Sequence, residues 1–416
     1  MKKILYLALC LTLVVWYSCK EEGRLDHIND STPAPAPVTI NGIPTSKPGG
    51  AVIKYTVPQS KNLLGVKAVY ERNGETCETK ASLYTDSLTV EGFGDTESRE
   101  VNLYSVGRNG KLSEPASVWV TPLAPPVLSS TVTMVPGFGG VTINLEGNSS
   151  RANLALVVLV DTMGTNDWKP VQTFYTQSPS MTFACRGLEA KEQRVALYIR
   201  DRWNNLSDTL VEILTPIEEV KIPKINPSWT NARLPTDTYG SYNNETRYDL
   251  SALWDGTEWT ETYCCFHAGQ FADPMPQHFT INLGRKVVIS RFTMFPRTLE
   301  IYSGAAPREF ELWGTDNPSP NGSFDNWTLL GQWTQLKPSG YGQGLEIGPI
   351  TDEDLTYFRS GGNYELVPTE MAPDPYITVN YLRFRTISNF TTYGTDASMG
   401  NIVLAELTFY GQIKDE

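Results

Sequence analysis

Histidine is nearly missing from this chain, with three in 416 residues. His27 lies in a polar stretch near the N-terminus and His278 leads an alternating apolar run, so a Ser/His/Asp site would have to depend on His267. No G-x-S-x-G elbow, H-E-x-x-H pair or phosphate-cradling glycine loop occurs. The six cysteines form no C-x-x-C pair and no Cys/His cluster at zinc spacing, which removes the common zinc sites. Basic stripes are lacking too: 34 Lys and Arg stand against 46 Asp and Glu, a net charge of −12, so no nucleic-acid partner is expected. The one long apolar run, Ile4 to Trp16, is too short to span a bilayer. Long segments of 3.6-residue periodicity are also wanting, which argues against a helical architecture.

What is present begins with an export signal. Lys2-Lys3, the apolar run and Ser18 before Cys19 give residues 1–18 the layout of a secretory signal peptide. Cys19 looks like the lipidated cysteine of a bacterial lipoprotein; the other reading is a soluble secreted protein whose cleavage site includes a Cys. The lipoprotein resemblance implies an outer-membrane protein that meets the membrane through its lipid only. Lys20-Glu21-Glu22 resembles tags associated with display at the cell surface. Residues 19–37, ending Thr32-Pro33-Ala34-Pro35-Ala36-Pro37, cannot form a core and read as an extended tether. Beyond the signal and Cys19, Cys77 and Cys185 fall in different expected domains and read as isolated buried thiols. Cys264-Cys265 are either strand residues facing opposite ways or a vicinal disulfide.

After the tether comes an internal repeat. Gly49-Gly50-Ala51-Val52-Ile53-Lys54-Tyr55 returns as Gly139-Gly140-Val141-Thr142-Ile143-Asn144-Leu145, 90 positions later. Val101-Asn102-Leu103-Tyr104, Leu112-Ser113 and Thr121-Pro122 return as Val195-Ala196-Leu197-Tyr198, Leu206-Ser207 and Thr215-Pro216 at a spacing of 94. Two copies of one domain are therefore expected, at 38–123 and 124–217. Short alternating runs punctuated by turn residues predict an antiparallel β-sandwich for each. The stretch Tyr104-Ser105-Val106-Gly107-Arg108-Asn109-Gly110-Lys111-Leu112-Ser113, then Pro115 and Val118-Trp119-Val120, resembles the last hairpin of fibronectin type III domains. The expected role of the two copies is spacing and presentation.

The third region, 230–413, carries an ordered set of phrases. They are Ala252-Leu253-Trp254-Asp255-Gly256-Thr257, His278-Phe279-Thr280-Ile281-Asn282-Leu283-Gly284, Val287 to Arg297, Arg308-Glu309-Phe310-Glu311-Leu312-Trp313-Gly314, Trp327-Thr328-Leu329-Leu330-Gly331, Tyr381-Leu382-Arg383-Phe384-Arg385, and Ala405-Glu406-Leu407-Thr408-Phe409-Tyr410-Gly411. Phe279, Ile281 and Leu283 alternate with Thr280 and Asn282, as a strand with one buried face requires. In this order the phrases resemble the discoidin, or coagulation factor type C, group of galactose-binding-like jelly rolls. The fold class expected is thus all-β, with two fibronectin type III-like sandwiches followed by a discoidin-type jelly roll. With a lipid anchor in front, the whole looks like surface lipoproteins that accompany starch-utilisation-type glycan importers. It implies a non-catalytic, cell-surface glycan-binding lipoprotein serving an outer-membrane uptake system, with a glycan and that importer complex as partners.

Asp255-Gly256 is a tight turn offering oxygens, and a distant Glu406 could close an oxygen cage around a hard cation; the plainer reading is an ordinary turn with Glu406 at a solvated strand end. Carried over from the discoidin resemblance, a structural Ca2+ would take Ala252, Asp255, Thr257, Thr260, Ala405 and Glu406 as ligands. The same resemblance places carbohydrate contacts on loops at one end of the barrel: Tyr263 and His267, Arg297 and Tyr302, Phe390 and Tyr393. Sugar recognition needs an aromatic face and polar groups for hydroxyls, and the Arg297 fork suits two hydroxyls at once. Against this, a loop aromatic is often a plug over a core, and Arg297 has Glu300 and Asp273 as potential partners. Two rival functions are an adhesion protein binding host matrix or another protein, and a glycoside hydrolase using Asp352 and Asp354. Thr351-Asp352-Glu353-Asp354-Leu355 reads better as a capped helical turn.

Overall fold

The computed structural model describes residues 31–241, 244–258, 266–342, 347–395 and 399–414. Residues 1–18, Cys19, Thr260, Tyr263, Cys264 and Cys265 lie outside these. Over these residues the chain is all-β, with three large apolar cores in succession.

In the first sandwich a sheet of Glu75–Ser82, Leu63–Arg72, Arg99–Gly107 and Ala116–Val120, in that order, faces a sheet built on Gly50–Thr56. In the second, Lys169–Thr176, Leu154–Asp161, Gln193–Asp201 and Leu210–Leu214 repeat that order. The repeat extends to single hydrogen bonds. Ser113 Oγ accepts from Ser105 N at 2.9 Å, and Ser207 Oγ accepts from Ile199 N at 2.8 Å. The exits match as well: Gly49 N donates to Leu123 O at 2.9 Å and Gly139 N to Ile217 O at 2.7 Å. Cys185 is buried in the second core, where burial pushes its thiol up to about 12, while Cys77 is half-buried in the first sandwich; both are free. The expected tether ends before Pro37. Carbonyls of Thr32 and Pro33 accept from Asn109 Nδ2 at 2.9 Å and Asn62 Nδ2 at 3.0 Å, so this part of the proline run lies on the first sandwich.

The third domain is organised by one long strand, Gln277–Phe295. Gly284, at φ +69, bends it, so that Gly284 turns the strand rather than ending it. Its first half pairs with Val379–Asn389 and its second with Glu406–Ile413 and Gly362–Glu365. Pro307–Thr315 lies on the other side of Val379–Asn389. Inward rings of these strands meet face or edge: Phe279 on Phe384 at 5.5 Å, Phe310 on Phe384 at 5.3 Å, and Phe292 on Trp333 at 5.1 Å. Burial of such rings supplies most of the drive to fold this domain.

The start of this domain differs from the expected 230. Val220–Lys221 pairs with Gly411 and Tyr410, and Ile222 and Trp229 sit in the third core, because the last strand needs a partner on its open side. The joint with the second sandwich is polar. Arg186 grips Glu365 and Glu219 and donates to Phe138 O at 2.7 Å, while Phe138 packs on Tyr376 at 5.4 Å.

Alternation predicts an outward, solvated Thr280, yet it is fully buried. Segment 232–239 folds over that face: Asp237 accepts from Thr280 Oγ1 at 3.0 Å and lies 3.5 Å from the fully buried guanidinium of Arg383. His278 Nε2 lies 3.6 Å from the same carboxylate. Burial, then the charges of Arg383 and Arg385, push the His278 imidazole down to about 4. Its folded value lies below its unfolded one, so the unfolded chain takes up the proton first as pH falls. The stabilisation is complete above about pH 6.5 and declines toward pH 4, by at most about 3 kcal/mol. Burial raises Asp237, which works in the opposite sense at the acid end of that window. Urea unfolding of the wild type at a series of pH values is expected to show this decline, and His278→Asn is expected to flatten it.

Candidate ligand-binding loops and the Glu406 clasp

Three of the segments expected to carry sugar contacts do come together at one end of the third domain. Thr391 N donates to Gly304 O at 3.1 Å and Phe390 N to Ala306 O at 3.2 Å, which knits loop 296–306 to loop 389–395. Phe266–Pro274 pairs with Met399–Leu404, setting His267 opposite Val403 in a two-stranded ribbon. Val403 N in turn donates to Ala305 O at 3.1 Å.

Side chains then separate into two groups. Arg297 is half-buried and donates to Glu300 Oε1 at 3.2 Å, while its Nε is buried and makes no hydrogen bond among the described residues. Glu300 also accepts from Ala305 N at 2.6 Å, so one carboxylate closes the loop and aims the guanidinium. Phe390 and Tyr393 are half-buried; Arg308 lies 3.8 Å over the Tyr393 ring and 5.2 Å over Phe390. Asn389 shapes their turn by accepting from Thr391 N at 2.9 Å and Thr392 N at 2.8 Å.

Tyr302 is not a sugar platform. It is fully buried, with its ring 4.8 Å from Phe358 and 5.9 Å from Phe390, and its hydroxyl donates to Asp354 O at 3.2 Å. The cause is the long insertion after Trp327, whose helix Asp352–Arg359 packs over this loop. That helix starts with the capping box expected from Thr351-Asp352-Glu353-Asp354. Asp354 is fully buried and accepts from Thr351 N at 2.9 Å, Ser339 N at 3.0 Å and Ser339 Oγ at 2.8 Å. Burial alone would raise its carboxyl, but these hydrogen bonds bring it down to about 2. It is a structural carboxylate.

Sequence reasoning missed Arg308, which is 2% exposed. Its parity with Phe310 and Leu312 along Pro307–Thr315 was the available signal, since it places Arg308 on the inward side where only an aromatic sleeve accommodates a guanidinium.

The expected cation ligands meet only in part. Glu406 is fully buried and accepts from Gly256 N, at 3.2 and 3.3 Å to its two oxygens, so the turn and the last strand do close on each other. Ala405 N is bonded to Phe295 O at 2.9 Å, and Ala252 is buried. Asp255 is exposed and accepts from Thr257 N at 2.7 Å in a local turn. The position facing Glu406 is taken by Lys224, whose ammonium contacts Glu406 Oε1 and lies 3.0 Å from Thr408 Oγ1. Burial lowers the Lys224 pKa and raises that of Glu406, and each charge offsets the other's shift. The described part of this donor set, Thr260 lying outside it, does not fit Ca2+ beside the Lys224 ammonium. At about 4 Å and an effective dielectric of about 20, two unit charges repel by about 4 kcal/mol, and a divalent ion beside the ammonium would face about twice that. Among the described residues no group of three His, Cys, Asp or Glu is placed to hold a metal.

Three family profiles match successive parts of the chain, each described as a domain of unknown function: DUF4959 over residues 35–122, DUF5126 over 121–225 and DUF5000 over 254–411. A search of the curated proteins finds no match. Among solved structures, a SusE-like protein is 27% identical, covering 70% of this chain and 100% of its own, with a TM-score of 0.43. A family 32 carbohydrate-binding module of Clostridium perfringens NanJ, solved with galactose, is 18% identical over 46% of this chain and 98% of its own, with a TM-score of 0.28. A two-domain fibronectin type III segment of chicken tenascin is 11% identical over 44% of this chain and 99% of its own, with a TM-score of 0.20.

The plug assignment of Tyr302 has a direct test in urea unfolding. Tyr302→Phe, which loses one hydrogen bond, is expected to cost about 1 kcal/mol. Tyr302→Ala, which empties the space between Phe358 and Phe390, is expected to cost about 3–5 kcal/mol. A near-neutral Tyr302→Ala would mean the ring is exposed in solution.

Proposed function

We propose that this chain is a non-catalytic, cell-surface glycan-binding lipoprotein that captures carbohydrate at the loop end of its third domain for an outer-membrane uptake system. One observation carries the reading: two loops hydrogen-bonded to each other carry, on one, the half-buried Arg297 and, on the other, the half-buried rings of Phe390 and Tyr393. A guanidinium fork suits paired hydroxyls and a ring face suits the apolar side of a pyranose. Arg308, lying against the faces of both rings, fixes their positions before any ligand arrives, which lowers the ordering cost of binding. His267, on the ribbon that Phe266–Pro274 forms with Met399–Leu404, and Tyr263, which lies outside the described residues, are further candidate contacts. The two sandwiches and the Cys19 lipid would act as the stalk.

Two of the groups that a catalytic reading would use are engaged in the fold. His278 is nearly covered by segment 232–239, and Asp354 caps a helix.

A second reading, adhesion to a protein surface, has one observation in its favour. Leu299 projects from the same loop and is 61% exposed.

A glycan array followed by calorimetry on the mature chain, with galactose among the first probes, separates these. Glycan binding that falls at least about tenfold in Arg297→Ala, and is unchanged in Leu299→Ser, is the expected result; a tenfold loss corresponds to about 1.4 kcal/mol. Glycan binding indifferent to Arg297→Ala would place the site elsewhere. No glycan binding, with protein capture lost in Leu299→Ser, would favour adhesion.

A further inference from the structure

The entry segment of the third domain delivers a charged side chain into the heart of the Glu406 clasp. Lys224 comes a few residues after the short strand Val220–Lys221, and its side chain is 13% exposed while that of Glu406 is fully covered. The ammonium contacts Glu406 Oε1, lies 3.0 Å from Thr408 Oγ1 and sits 5.8 Å from the centre of the Trp229 ring. An ammonium has three N–H bonds, and a carboxylate, a hydroxyl and a π face satisfy all three. The remaining direction on Glu406 is used by Gly256 N at 3.2 and 3.3 Å.

We propose that Lys224 is the resident cation of this clasp, a built-in ammonium in the place of a divalent ion, so that the third domain closes without calcium. Two further placements agree with it. Asp255, the other carboxylate of the turn, is exposed and accepts from Thr257 N at 2.7 Å; its negative charge adds to the burial that raises the Glu406 pKa, which the ammonium offsets. Trp229, on whose face the ammonium lies, is itself pinned by its indole donating to Pro223 O at 2.9 Å, so the lysine arrives in a pre-formed sleeve.

The entry to the domain is affected as well. A diffusible ion would let the rest of the third domain close by itself; a lysine from residues 220–229, which pair and pack within that domain, makes closure conditional on this entry segment being in place. This proposal is independent of the glycan reading, since Lys224 touches none of the loop residues proposed to bind sugar.

The test is thermal unfolding of the full mature chain, followed by tryptophan fluorescence, with Trp229 and Trp254 as reporters beside the clasp. The wild-type transition of the third domain is expected to stay within about 1 °C between excess EDTA and millimolar calcium. A structural calcium site saturated about a thousandfold above its dissociation constant would instead raise it by roughly 10 °C. Lys224→Met leaves a buried carboxylate without its counter-charge and is expected to lower the midpoint by roughly 10 °C. Pairing it with Glu406→Gln is expected to restore much of that loss. Lys224→Ala, which opens room beside an uncompensated Glu406, is expected to gain a calcium-dependent rise that the wild type lacks. Should Lys224→Met fail to fold, the wild-type comparison and the double variant still decide. A wild-type midpoint that rises with calcium, or a Lys224→Met midpoint equal to wild type, overturns the proposal.

Discussion

A single buried carboxylate sets the terms for the third domain. Glu406 begins the last strand, fully covered, where a lone negative charge is not tolerated without a counter-charge and hydrogen-bond donors. The donors come from Gly256, 150 residues upstream, and the counter-charge from Lys224, 182 residues upstream. Those contacts tie the segment leaving the second sandwich, the turn after Trp254 and the closing strand at one point. Glu406 is also paired with Phe295, two positions before Arg297. The clasp therefore holds the root of the loop that carries the candidate ligand contacts.

The same logic of covering a polar face recurs elsewhere in the domain. Segment 232–239 and the loop around Phe324 cover Arg383, whose guanidinium lies 4.5 Å from the ring centres of both Phe324 and Trp327. At the loop end, Arg308 lies against the faces of Phe390 and Tyr393. Ring faces flank each of these cations and accept a desolvated guanidinium at less cost than a bare apolar core, and Arg383 has the Asp237 carboxylate at 3.5 Å besides. The insertion after Trp327 adds a helix that seals Tyr302 and so removes it from the candidate ligand surface.

Much of the architecture was legible because it is local. The Gly-Gly turns and the Leu-Ser pairs at Leu112-Ser113 and Leu206-Ser207 recur because each Ser closes the same hairpin by the same bond, so the repeat could be read from spacing. Strand phrases with period two, such as Phe279-Thr280-Ile281, announced an inward face. What sequence could not convey is which outward face another segment would cover, as at Thr280, or which loop an insertion would seal, as at Tyr302. Lys224 was invisible for a related reason. It sits in what reads as a linker, and nothing near it in sequence signals a buried carboxylate far along the chain. The resemblance that brought Asp255 and Glu406 together was right about their proximity, while the residue between Glu406 and solvent is a lysine from a segment that the resemblance did not cover.

Whether a lysine or an ion closes the third domain can be read from long-wavelength diffraction by crystals of the mature chain grown with calcium. A lysine clasp predicts continuous side-chain density from Lys224 to Glu406 and no anomalous peak beside that carboxylate. An anomalous peak ringed by oxygens at about 2.3–2.6 Å, with Lys224 displaced, would contradict it.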